Sequence, residues 1–75
     1  MKVNIPRGKL TQQAQAVINL MERGNRVCRV ERDDSPEGIK TFQQLDEIAA
    51  IIGWSFVKKD DYLAYFINED RTPAL

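Results

Sequence analysis

The length of the chain limits what it can fold into more than any other feature of the sequence. At 75 residues it is long enough for one domain at most, because a single hydrophobic core typically supports about 50 to 200 residues. A chain this short buries only about 60% of the surface that its unfolded form exposes. We therefore expect a thin core, which self-association would help to stabilise.

The composition indicates a folded protein rather than a disordered one. Hydrophobic residues make up 43% of the chain, and 11 basic residues balance 11 acidic ones, whereas disorder needs low hydrophobicity and high net charge. Residues 1–7 contain no apolar targeting segment, and no stretch approaches the roughly 20 apolar residues that span a bilayer. The single cysteine, Cys28, cannot form an internal disulfide, which is typical of a reducing compartment. We expect a cytoplasmic protein.

The missing residue types narrow the chemistry that the chain can perform. With no histidine and one cysteine, a single chain cannot supply the four Cys or His ligands of a structural zinc site. Histidine general bases and Ser-His or Cys-His nucleophiles are excluded for the same reason. The sequence also contains no glycine-rich phosphate loop. We therefore expect no enzymatic activity, no bound metal and no cofactor.

The first helix is predicted over residues 12–23. Thr11 is a suitable N-cap, and Gly24 can end the helix. The apolar residues fall at helical spacing and draw one stripe, which consists of Leu10, Ala14, Val17, Ile18 and Met21.

The second helix has two candidate starting points. It could begin at Ser35 as the cap with Pro36 in the first turn, or at Thr41, whose following residues match a capping box. We favour Thr41, because Gly38 would cost about 1 kcal/mol inside a helix and Ser-Pro-Glu-Gly makes a good turn. Gly53 can end this helix in the left-handed conformation.

Strands are predicted at residues 26–32, 54–57 and 62–67, with a short additional strand at residues 2–5. Neither face of residues 26–32 is purely apolar, so an edge position is expected there. If Val57 pairs with Tyr62 across the turn of residues 58–61, one face of the hairpin combines Trp54, Phe56, Leu63, Tyr65 and Ile67. That face should meet the helices.

These elements predict an α+β fold in the order (β)αβαββ. We expect two helices packed on one face of a three- or four-stranded, mainly antiparallel sheet with a C-terminal hairpin. Residues 1–68 should form the single domain, and residues 69–75 are expected to be a frayed tail, because they have little to bury.

Charge is segregated along the chain and offers candidates for nucleic-acid binding. Residues 1–32 carry seven basic side chains against two acidic ones, and the rest of the chain has the reverse excess. Such asymmetry can mark a basic surface, although the two halves of a small domain can equally interleave. The candidates for contact with DNA or RNA are Arg7, Lys9, Gln12, Arg26 and Arg32.

The order of helix, strand, helix and hairpin loosely resembles a winged helix in layout, in which the second helix enters the major groove. Here that helix would present Asp46 and Glu47 to the phosphates, and two carboxylates oppose the electrostatic term that dominates affinity. We therefore rank nucleic-acid binding second.

Protein association is the leading hypothesis, with an unidentified protein or a second copy of the chain as the partner. A thin core and an edge strand leave surface and backbone groups open to pairing. The candidate contact residues are Tyr62 and Phe66, expected on the hairpin face opposite Trp54, together with Arg29. The alternative is that Phe66 completes the core and Tyr62 only packs against it.

The remaining reactive residue types have simpler explanations. Arg26 and Arg29 could lower the pKa of Cys28, but a lone cysteine between valines is typical of a small core residue. Two acidic pairs, at residues 33–34 and 60–61, lack the alternating oxygen ligands of a calcium loop. Turn formation explains both pairs.

Overall fold

The computed structural model describes residues 7–69. Within them, the chain forms a small α+β fold, as predicted, whereas the predicted strand at residues 2–5 and most of the predicted tail lie outside the described residues. The elements are a 3-10 turn at Arg7–Lys9, helices α1 (Gln12–Glu22) and α2 (Pro36–Ile52), and strands β1 (Val27–Glu31), β2 (Ser55–Lys58) and β3 (Leu63–Ile67).

Helix α1 begins and ends where its local sequence signals lie. The Thr11 hydroxyl accepts a hydrogen bond of 3.1 Å from the Ala14 N–H, and this satisfies one of the free amides of the first turn. Gly24, just past the helix, has a φ of 108°, which an L side chain rarely adopts. The predicted cap and the predicted end of this helix are confirmed.

Helix α2 begins earlier than we favoured. Ser35 is its N-cap and accepts a hydrogen bond of 3.1 Å from the Gly38 N–H, with Pro36 in the first turn. The preference for Thr41 was wrong, because Ser35 caps the helix and Gly38 lies within its first turn. A Cβ at Gly38 would lie 3.0 Å from Cβ of Arg32, so the absence of a side chain lets the helix approach the end of β1 closely.

The sheet has the strand order β1-β3-β2, and β3 pairs antiparallel with both neighbours. Strand β1 lies at one edge of the sheet, which confirms the edge position predicted for residues 26–32. The predicted pairing of Val57 with Tyr62 is wrong, because Val57 lies opposite Tyr65. The connection at residues 59–62 has the four residues that we predicted but lies one position later in the chain, and in it the Asp60 carboxylate accepts the N–H groups of Tyr62 (2.8 Å) and Leu63 (2.9 Å).

Both helices contribute to one core on a single face of the sheet. Phe66 at the centre of β3 is fully buried, and its ring packs edge to face with those of Trp54 and Phe56, at centroid distances of 5.6 and 6.4 Å. The core residues are Ala14, Val17, Ile18, Met21, Val30, Phe42, Leu45, Ile48, Ala49, Trp54, Ala64 and Phe66.

The close approach at Gly38 predicts an unusual response to substitution. In an ordinary helix, Gly→Ala is stabilising by about 1 kcal/mol. Here we expect Gly38→Ala to lower the free energy of unfolding by about 1 kcal/mol, because overpacking outweighs the gain in helix propensity. Urea unfolding measures the change, and Ala50→Gly at an exposed position of the same helix calibrates the propensity effect. An increase in stability for Gly38→Ala would contradict the packing explanation.

Candidate interaction surface

Within residues 7–69, both helices lie on one side of the sheet, and no helix packs on the sheet face turned away from them. We call it the outer face. Alternation along the strands assigns its residues, since the burial of β1 and β3 also alternates with a period of two. The outer face consists of Val27, Arg29, Glu31, Ser55, Val57, Lys59, Leu63, Tyr65 and Ile67.

The strand register arranges these nine residues in three rows across the sheet. The three residues of β3 form the centre of the rows and are half-buried by their neighbours, while Val27 and Val57 are 49% and 46% exposed. The rows are Val27-Ile67-Ser55, Arg29-Tyr65-Val57 and Glu31-Leu63-Lys59. The outer face thus has an apolar centre around Tyr65.

Charged groups lie at the two edges of this apolar centre. On the β1 edge, Arg29 Nε lies 3.1 Å from Glu31 Oε1, and both side chains are more than half exposed. An ion pair this exposed contributes little to stability. On the β2 edge, Lys59 directly follows the last residue of β2 and donates its N–H to the Leu63 carbonyl at 2.8 Å, so the pairing register extends to it and alternation assigns it to the outer face. Glu31 and Lys59 therefore flank Leu63 with opposite charges.

Two of the predicted contact residues do not lie on this surface. Phe66 has no exposed surface and shares the helix-covered face with Trp54, so the prediction that it lies opposite Trp54 is wrong. Tyr62 precedes β3, is 48% exposed and lies at the rim of the helix side. The third residue, Arg29, does lie on the outer face. This error comes from the register between β2 and β3, in which Val57 lies opposite Tyr65 and not Tyr62. The shift of three residues is an odd number, so every side chain of β3 lies on the opposite face of the sheet from the one predicted.

Arg32 is held between two aromatic rings. Its guanidinium carbon lies 5.2 Å from the centroid of Phe42 and 5.3 Å from that of Tyr62. Its Nη1 donates to the Asp33 carbonyl at 2.9 Å, and its Nε is buried without a hydrogen-bond partner among the described residues. These contacts give Arg32 a structural role in joining α2 to the β2-β3 connection.

The candidate nucleic-acid residues do not all lie together, because Arg26 is at the far end of β1 from Arg32. Lys9 and Gln12 are exposed near the start of α1. Arg26 and Arg32 lie at opposite ends of β1, about 20 Å apart in an extended strand. Arg7 lies at the boundary of the described residues, and its side chain is not described. The described members of the set therefore do not form one basic patch, and nucleic-acid binding remains a prediction of the sequence.

The free edge of β1 offers little backbone for pairing with another strand. Its even-numbered residues face β3, as the 2.8 Å bond from the Asn68 N–H to the Arg26 carbonyl indicates. The odd-numbered residues face outward, and there the Glu31 carbonyl already accepts the side-chain amide of Gln13. Two outward-facing residues remain, which is short for strand addition.

A polar concavity of about 420 Å³ surrounds the start of α2. Its lining includes Glu31, Asp33 and Glu37, and a hydrogen bond from Ser35 holds the pKa of the Asp33 carboxyl below its usual range. Three carboxylates oppose an anionic ligand at this helix N-terminus. Among residues 7–69, no group of three or more His, Cys, Asp or Glu residues could hold a metal ion. In this turn, the Asp33 carboxylate accepts the Ser35 N–H at 2.9 Å, and Ser35 caps α2.

Cys28 packs toward the core. It is half-buried on the helix-covered face opposite Phe66. Burial raises the pKa of its thiol, which keeps the sulfur protonated rather than nucleophilic. The geometry supports the packing role over a reactive one.

Comparisons with protein-family models, with curated proteins and with solved structures gave no match. No helix within residues 7–69 is long and apolar enough to cross a membrane. The case for a function therefore depends on the surface chemistry described above.

The stacking of Arg32 predicts that its loss affects stability. We expect Arg32→Gln to lower the free energy of unfolding by about 1 kcal/mol, because contacts with two rings are lost. The control is Arg26→Gln, an equal charge change at an exposed position, which should change the free energy of unfolding by less than about 0.5 kcal/mol. Chemical denaturation compares the two variants. If the two variants change the free energy of unfolding by the same small amount, the contacts of Arg32 with the two rings do not stabilise the fold.

The phenol of Tyr62 is expected to titrate late. Its hydroxyl donates a 2.9 Å hydrogen bond to Asp34, and this bond, with the negative charge of the carboxylate, raises the pKa of Tyr62 above 10.0. The folded state then holds the proton more tightly than the unfolded chain, so this contribution to stability is complete below pH 10 and disappears as the pH rises through the folded pKa. The difference between the absorbance titrations of the wild type and of Tyr62→Phe reports the phenol of Tyr62, and its midpoint should lie above pH 10. Asp34→Asn should lower that midpoint, because it removes the negative charge beside the phenol.

Proposed function

We propose that the protein is a non-catalytic interaction module that binds another protein through its outer face. The observation that carries this proposal is the apolar centre of that face. In an antiparallel sheet with one face open to water, the outward positions are ordinarily polar. Here five of the nine outward positions are Val, Leu, Ile or Tyr.

The shape and chemistry of the outer face support binding. Leu63, Tyr65 and Ile67 form a continuous ridge along the central strand, and Val57 extends it toward β2. Tyrosine combines a large apolar ring with a hydroxyl that tolerates water, which is why it is enriched at the centres of interfaces. The surrounding Arg29, Glu31 and Lys59 form a polar rim, the arrangement that protein interfaces usually have.

The thin core gives binding an additional effect. The helices cover one face of a three-stranded sheet, so the apolar side chains of the outer face are less completely buried than those of the core. A partner that covers the outer face stabilises the folded state by mass action. We propose that the module acts as an accessory or regulatory component, whose effect lies in the partner that it binds.

A photoreactive residue on the outer face tests this proposal. We expect p-benzoylphenylalanine in place of Tyr65 to form a covalent adduct with a protein when living cells that contain the variant are irradiated. The matched control places the same residue at Glu47, an exposed position on α2, and should give no adduct. With the photoreactive residue moved to Val57, adding Tyr65→Glu should weaken adduct formation at least tenfold, because a charge then lies at the centre of the contact.

Circular dichroism establishes that each variant is folded. Equal adduct yields from the two faces, or none from the outer face, would refute the proposal.

A further inference from the structure

We infer that the outer face binds a second copy of this chain, face to face, about a two-fold axis that runs parallel to β3. The inference rests on the proposed function and names its partner. It follows from the pattern of charges around the apolar centre, from the neutrality of the chain and from the size of the outer face.

The chain carries no net charge, with 11 basic and 11 acidic residues. Two copies therefore approach without the long-range repulsion that separates highly charged molecules, and proteins near neutrality associate more readily. A second copy also presents an apolar centre of the same width, because its strands have the same spacing.

The rim charges select one symmetric arrangement. A two-fold axis parallel to β3 places the β1 edge of one copy over the β2 edge of the other and leaves each row facing itself. Glu31 then faces the partner's Lys59, and symmetry repeats the pair on the other side. In the same arrangement Arg29 faces the partner's Val57, which its apolar stem can cover.

The other symmetric arrangements bring like charges together. A two-fold axis that lies in the interface and runs across the strands places Arg29 over the partner's Arg29. Two further axes run diagonally across the outer face. The axis through the Glu31 corner places Glu31 over the partner's Glu31, and the axis through the Lys59 corner places Lys59 over the partner's Lys59. Like charges placed directly opposite are destabilising, so these three arrangements are disfavoured.

The favoured arrangement also follows ordinary sheet packing. Two sheets that pack face to face keep their strands within about 30° of parallel, with the sheets about 10 Å apart. Leu63, Tyr65 and Ile67 of one copy then interdigitate with the same residues of the other. The result is a small sandwich in which the outer faces of two three-stranded sheets meet and the helices of each copy lie on the side away from the interface.

The size of the outer face indicates a weak dimer. Three strands at about 4.8 Å spacing and about five residues of length give a flat area of about 240 Å² on each copy. A standard stable interface buries about 800 Å² on each partner. We therefore expect a dimer that dissociates on dilution through micromolar concentrations.

Sedimentation equilibrium between about 1 μM and 1 mM tests the inference on the full chain. The mass should rise with concentration from the 8.6 kDa monomer toward twice that value. Glu31→Lys and Lys59→Glu should each weaken association about tenfold, since two ion pairs become two repulsions, and combining the two changes should restore it. The matched controls, Glu47→Lys and Lys58→Glu, make the same charge changes away from the outer face and should have much smaller effects.

The outcomes separate this inference from the proposed function. A chain that stays monomeric at 1 mM, or a dimer that both single charge changes leave intact, overturns the inference. If such a monomer still forms an adduct with a different protein from position 65, the proposed function stands and its partner is foreign. If neither dimer nor adduct forms, both proposals fail.

Discussion

The burial of Phe66 on the central strand is the constraint on which the rest of the structure depends. Its ring lies between the flanking strands and contacts Trp54 and Phe56, and Phe56 in turn packs against Phe42 of α2 at 5.2 Å. Because side chains alternate along a strand, directing Phe66 toward the helices directs Tyr65 away from them. The same register that completes the core therefore creates the outer face.

The local features of the fold could be predicted from the sequence, and the features set by tertiary contacts could not. Thr11 and Gly24 act within one turn of α1, so their effect is visible in the sequence alone. In the first turn of α2, Gly38 lies so close to Arg32, a residue outside the helix, that a Cβ would be 3.0 Å from the Arg32 Cβ. A rule about helix propensity could not anticipate that contact.

For the outer face, too, the strands could be predicted from the sequence, but the side of the sheet on which each residue lies could not. Aromatic and β-branched residues indicated the last two strands, but the position of the turn along the chain decided which of their side chains face the core. Asp60 accepts hydrogen bonds from two backbone amides, and the turn is centred on Asp61, so Tyr65 rather than Tyr62 lies opposite Val57. Leu63, Tyr65 and Ile67 were accordingly assigned to the core, and Phe66 to the surface. Asp60, two residues before Tyr62, was the one signal in the sequence that could have indicated the later position of the turn.

The separation of charge along the chain does not become a separation in space. Strand β1 comes from the basic half and pairs with β3 from the acidic half. Arg29 pairs with Glu31 of its own strand, and Arg32 lies beside Tyr62, whose hydroxyl binds Asp34. Antiparallel pairing of distant segments thus mixes the two halves, and what remains is a local pattern of charges at the rim of the outer face.

That local pattern restricts which partners fit. Glu31 and Lys59 are two strand spacings apart, about 10 Å, on either side of an apolar ridge. A complementary partner needs the opposite charges at the same separation around an apolar centre, and a second copy turned about β3 meets that requirement. Association would also reinforce the thin core, since a partner present at a hundred times its dissociation constant stabilises the fold by about 2.7 kcal/mol. If the proposed association occurs, binding and folding stability are coupled through the same residues of the outer face.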